Sequence, residues 1–147
     1  MRRILVAVDG SEPSQRAASL AADLAVKLTG ELLIMNVVQE GETLDDEMLE
    51  FAESEGLGES PIAVLNALGN KAVAEALGRA SAAGATHVSS EIASGDPADV
   101  ILAAARDRAI DLIVVGRTGR GRLANLLLGS VSQEVVNGAP CPVLVVR

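Results

Sequence analysis

VVGRTGRGRLANLLLGSVSQEVV, residues 114–136, opens as a β-branched apolar run, breaks into four glycines and three arginines, and re-enters a hydrophobic pattern at helical spacing. A strand that passes through a glycine-rich turn into a helix is half of a crossover, and parallel strands need such crossovers. The strand predicted here covers Asp111–Val115, the helix Leu126–Asn137, and a last short strand follows at Pro142–Val146.

The same alternation extends back to the start of the chain. Arg3–Asp9 is a short apolar strand that ends in the turn signal Asp9-Gly10. Ser11 is placed to cap a helix, with Pro13 in its first turn. From Glu12 to about Leu28, Ala17, Leu20, Ala21, Leu24 and Leu28 recur at three- and four-residue spacing, and Gly30 stops the run. Glu31–Val38 reads as a second strand, Pro61 to about Ala83 as a helix interrupted by Gly69 and Gly78, and Thr86–Ala93 as a third strand. Asp96-Pro97 opens a helix to about Arg108. Strands alternating with helices predict an α/β protein: a single doubly wound domain over residues 1–147, its parallel sheet covered by helices on both faces.

Composition narrows the function. Aromatics are almost absent, with one Phe and no Trp or Tyr, so the stacking platforms that hold single-stranded nucleic acid are missing. The net charge of −8 also disfavours nucleic acid. That charge is local: residues 39–60 hold nine acidic residues and no basic one, which leaves +1 for the remainder. The stretch reads as a solvated, flexible insert containing a loose helix. Folded across the nearby arginines, it would instead serve as a gate. The opening MRRILVAVDG is too briefly apolar for an export signal, and no run approaches the length of a membrane span. The lone Cys141 has no internal partner, and a soluble cytoplasmic protein is expected.

In a doubly wound sheet ligands bind outside the carboxyl ends of the strands, where the strand order reverses. The first strand ends in Asp9-Gly10-Ser11 and the fourth in Gly116-Arg117-Thr118-Gly119. A Walker loop fails, because Arg122-Leu123 stands where Lys and a magnesium-binding hydroxyl are required. Gly119-Arg-Gly121-Arg-Leu-Ala124 matches a dinucleotide fingerprint literally, but it falls at the last crossover and lacks the acidic residue about 20 positions on. A longer spacing survives, in which Gly116 and Gly119 are followed nine residues later by Gly129-Ser130 at the start of a helix. The first N–H groups of that helix would face an anion, with the Ser130 and Ser132 hydroxyls and the charges of Arg117, Arg120 and Arg122 beside them. An ordinary crossover with a helix cap is the other reading.

These stretches together, ILVAVDGSE (4–12), GDPADVI (95–101), DLIVVG (111–116) and PCPVLVV beside the opening segment, resemble the universal stress proteins. Within that family the chain is similar to the ATP-binding branch, whose signature G-2x-G-9x-G-[ST] is met by Gly116, Gly119, Gly129 and Ser130. The resemblance implies a five-stranded sheet of order 3-2-1-4-5. It implies that Asp9 and Val37 contact the adenine end of a nucleotide, that Gly116 lies by the ribose, and that Gly119, Gly129, Ser130, Val131 and Ser132 hold phosphate. Ala7, Val8, Val115 and Arg117 complete the expected site. An apolar Val suits a flat base, while Asp9 suits a hydrogen bond to base or sugar, a magnesium ion reached through water, or the cap of the following helix. ATP, with Mg²⁺ on its phosphates, is the implied cofactor. Homodimerisation through Val143, Leu144, Val145 and Val146 is the implied assembly, consistent with an apolar edge strand.

Catalysis finds little support in the residues. His87 opens a predicted strand, and Cys141 lies between Pro140 and Pro142 with no second histidine to activate it. The expected function is a homodimeric ATP-dependent sensor or adaptor in a stress response, acting on an unknown downstream protein. A slow ATP hydrolase and a binder of AMP or cyclic AMP are the alternatives. Replacing Arg117, Arg120 and Arg122 together is expected to weaken a triphosphate more than a monophosphate in titration calorimetry; equal losses would show that they do not face the phosphates.

Overall fold

The computed structural model describes residues 2–58, 60–119 and 128–147. Its elements follow in the order β1 (Arg3–Ala7), α1 (Glu12–Lys27), β2 (Glu31–Val38), α2 (Asp46–Ser54), α3 (Pro61–Ala83), β3 (Val88–Ser94), α4 (Pro97–Asp107), β4 (Leu112–Gly116), α5 (Ser130–Gly138) and β5 (Val143–Val146). The five strands form one sheet of order β3-β2-β1-β4-β5, and every pairing is parallel. No helix among the described residues is long and apolar enough to cross a membrane.

Side-chain alternation sends each strand's residues to two cores. Ile4, Val6, Leu32, Ile34 and Val114 face α1 and α3, while Leu5, Leu33, Met35, Ile113 and Val115 face α4 and α5. Central strands buried on both faces read as continuous apolar runs, which is why β1, β2 and β4 were visible in the sequence. The face that α1 buries is built from Ala17, Ala18, Ala21, Ala22 and Ala25, so the helix backbone can approach the sheet closely. Alanine in place of aromatics gives up area per residue but pays almost no side-chain entropy on burial.

Three elements have a boundary that differs from the sequence reading by two residues or more, and β4 and β5 differ by one. β1 ends at Ala7 rather than Asp9, because β1 and β2 part there. β3 runs Val88–Ser94 rather than Thr86–Ala93, as an edge strand whose alternation is weakened by Ser89, Ser90 and Glu91. α5 begins at Ser130, since Gly129 is extended (φ −67°, ψ 162°) and serves as its N-cap; Leu126 and Leu127 of the expected helix lie outside the described residues.

The acidic stretch is anchored along one side. Asp45 caps α2 by accepting the Met48 N–H at 2.8 Å, and Met48 and Ala52 are buried against Val38, Val64 and Leu65. The one aromatic ring, Phe51, is half-buried on this helix with the Lys71 ammonium 5.4 Å from its centroid.

At the amino ends of the strands, Asp111 ties β4 to the chain start. Its Oδ2 accepts the N–H groups of Arg2 and Arg3 at 2.8 and 2.9 Å, while its own N–H donates to Arg3 O at 2.8 Å. Those two backbone donors hold the Asp111 carboxyl below its ordinary value of 3.8. A carboxyl lowered on folding contributes stability above its unfolded value and loses that contribution as pH falls through the folded one. The wild type should therefore resist urea better than Asp111→Asn at neutral pH, and the gap should close as the pH drops below 3.8. A gap that stayed constant with pH would remove the charge from the explanation.

Candidate functional site

The strand order reverses between β1 and β4, so their carboxyl ends diverge and leave a cleft of about 420 Å³. That volume lies within the usual range for small-molecule sites of roughly 300–1,000 Å³. Every residue expected from the sequence lines it except Arg117. Others were not foreseen: Ser14, Asn36 and Thr118 are buried polar residues, and Met48, Leu65, Leu68 and Ile101 supply apolar wall. Asn36 did carry a signal, as the one polar side chain inside ELLIMNVV.

One end of the cleft is the start of α5. The Gly129 N–H donates to Arg117 O at 2.7 Å, and the first helical bond runs from Gln133 N–H to Gly129 O at 3.0 Å. No side chain caps the helix, and among the described residues no acceptor takes the N–H groups of Ser130, Val131 or Ser132. Three donors at the positive end of a helix dipole thus border the cavity. The Ser132 hydroxyl is already engaged, donating to Gly116 O at 2.5 Å, so it fixes α5 to the end of β4 and leaves Ser130 as the uncommitted hydroxyl of the pair.

Two of the three glycines are there for space. A Cβ on Gly116 would stand 2.9 Å from atoms of Pro13 and Ser14, and one on Gly119 would stand 2.6 Å from Asp9 Oδ2. At Gly129 the nearest atom would be 3.4 Å away, an ordinary contact. The first two let α1 and the Asp9 turn close on β4; the third has room for a Cβ.

Asp9 is not the cap of α1. Ser11 fills that role through its hydroxyl, while Asp9 Oδ1 accepts the Ser11 N–H at 2.9 Å and Oδ2 points toward Gly119. Among the described residues no group of three or more His, Cys, Asp or Glu is placed to hold a metal, and the carboxylates that line the cleft are Asp9 and Glu42. Arg117 contributes through its backbone, donating to Val146 O at 2.6 Å and accepting from Gly129; its Nε is buried without a partner among the described residues. Arg120 and Arg122 lie outside the described residues.

The other end of the cleft is a break in the sheet. Along β2 the odd residues face β1: Glu31 N–H donates to Arg2 O at 2.6 Å, and Met35 O accepts the Val8 N–H at 2.9 Å. Continuing that ladder would join Val37 N–H to Val8 O and Gly10 N–H to Val37 O. Neither bond forms. Val8 O accepts instead from Asn36 Nδ2 at 2.9 Å, and Gly10 turns the chain away in the left-handed conformation (φ 86°). Among the described residues, the N–H and C=O of Val37 therefore have no partner on the cleft side.

His87 and Cys141 sit at the amino ends of their strands, away from the cleft. His87 is exposed beside Thr86, and partial burial pushes the Cys141 thiol up, which suppresses the thiolate.

The universal stress protein family model matches residues 1–147. A universal stress protein of Thermus aquaticus is 35% identical over 147 residues, covering 99% of this chain and 98% of its own. The solved structure of UspA from Lactobacillus plantarum superposes with a TM-score of 0.78 at 28% identity, covering 99% and 97% of the two chains. A universal stress protein crystallised in complex with cAMP gives 0.69 at 29% identity, covering 99% and 96%. The chain belongs to the universal stress protein family.

Proposed function

We propose that the cleft binds an adenine nucleotide, ATP foremost, and that the protein works as a nucleotide-dependent regulatory component of a stress response rather than as a rapid enzyme. The observation that carries this reading is the pair of unpartnered backbone sites at the two ends of one cleft. At one end, three N–H groups of α5 favour phosphate. At the other, Val37 offers a donor beside an acceptor, the pattern complementary to the N1 and 6-amino edge of adenine. Leu65, Ile101 and Val115 give the apolar walls between which a base would lie.

With a triphosphate bound, a magnesium ion would be held chiefly by phosphate oxygens and water, with Asp9, whose Oδ2 lies toward Gly119, as a carboxylate that could reach it through water. The ion would neutralise phosphate charge; what this chain supplies is the helix terminus, the Ser130 hydroxyl and the glycine turn. In this reading nucleotide occupancy biases a homodimer formed through Val143–Val146 of the outer strand β5, in a cytoplasmic setting, toward one partner-binding state. The relative crystallised with cAMP supports a second reading, in which a monophosphate is the working ligand.

Gly129→Glu should abolish binding of ATP and of cAMP while Gly129→Ala retains both. A carboxylate about 4 Å from a phosphate costs on the order of 4 kcal/mol at an intermediate dielectric, roughly a thousandfold in affinity. Calorimetric titration of the nucleotide-stripped protein checks this, and unchanged affinity in the Glu variant would place phosphate elsewhere.

A further inference from the structure

We infer that Asn36 is a wedge that holds β1 and β2 apart at their carboxyl ends, and that it thereby determines whether Val37 can read a base. Asn36 is 7% exposed and lies in the buried row of β2 that faces α1 and α3. Its amide orientation is unambiguous, because only nitrogen can donate to Val8 O. That bond stands at the carbonyl where a continued ladder would bring the Val37 N–H.

The rest of the carboxamide is accommodated at a cost. Among the described residues Oδ1 is buried with no hydrogen-bond partner, and it lies against Gly69 of α3, where an added Cβ would collide with it. A buried acceptor left unpaired destabilises a fold, and glycine weakens a helix interior. An apolar residue at 36 opposite an alanine at 69 would let the sheet ladder run one step further and would make a conventional core. The chain carries Asn36 and Gly69 instead, and an open donor and acceptor on Val37 stand at the cleft wall.

In the nucleotide-binding reading above, on which this role rests, Asn36 is a positioning residue. It acts through Val37, keeping the strand edge unzipped so that a base can complete the ladder in place of β1. Valine has nearly the volume of asparagine and cannot donate, so Asn36→Val should allow Val37 N–H to bond Val8 O. Gly69→Ala should have the same effect from the opposite side by displacing the carboxamide.

The test has two independent readouts on the full chain. Backbone amide exchange at Val37, followed by NMR without nucleotide, should be fast in the wild type and slow in Asn36→Val, the reverse of what a destabilising core mutation does. Calorimetry with ATP and with cAMP should then show affinity reduced about tenfold or more, the size expected for one lost hydrogen bond of about 1.4 kcal/mol, in a variant that melts no lower than the wild type. A Val37 amide already protected in the wild type, or one left unprotected by both substitutions, would overturn the wedge. So would unaltered affinity in a variant whose Val37 amide had become protected. A wild type that bound neither nucleotide would refute the ligand assignment, while amide exchange would still decide whether Asn36 holds the strands apart.

Discussion

A parallel sheet satisfies its own backbone so completely that it can bind something only where its ladder stops. Here the ladder between β1 and β2 stops at the Val8 carbonyl, which among the described residues accepts from the Asn36 side chain alone. From that bond follow the early end of β1, the turn through Gly10 and the exposed backbone of Val37. On the other flank, Ser132 pins the start of α5 to the Gly116 carbonyl, so the uncapped helix terminus is fixed at the end of β4. The cleft is the space between two carbonyls, each held by a side chain of a neighbouring segment.

Much of this was legible in the sequence, and the reason is that periodicity and spacing are covalent. β2 at Glu31–Val38 and α3 at Pro61–Ala83 have the bounds that alternation, proline and glycine predicted. The Gly116, Gly119 and Gly129-Ser130 spacing places those residues at the cleft because the β4–α5 crossover brings both its ends there. What could not be read was which group takes which partner. Asn36 was visible as a polar interruption of an apolar strand, but its acceptor lies 28 positions away across the sheet. Gly69 looked only like a weakness in a helix, and its meaning appears when Asn36 is seen against it. Arg117 shows the converse, since its charge was conspicuous while its described bonds are those of its backbone.

The packing strategy bears on the same geometry. With Ala17, Ala21 and Ala25 under α1, the helix lies close enough for Pro13 and Ser14 to meet Gly116. Larger side chains there would fill more area, but they would lift the start of α1 and with it the Asp9 turn that forms one lip of the cleft. The small core residues and the glycines at the cleft are thus parts of one close approach between helix and sheet, and a change in either would be felt by the other.

The lone ring of Phe51 has an optical consequence. With no tryptophan or tyrosine in the chain and its one phenylalanine packed on α2 beside Lys71, the near-ultraviolet spectrum of the polypeptide is almost blank. A purine held in the cleft would supply nearly all the absorbance in that region, in an asymmetric setting that would also give it circular dichroism. Occupancy of the site would then be visible directly in the spectrum, with no label and no competing signal from the protein.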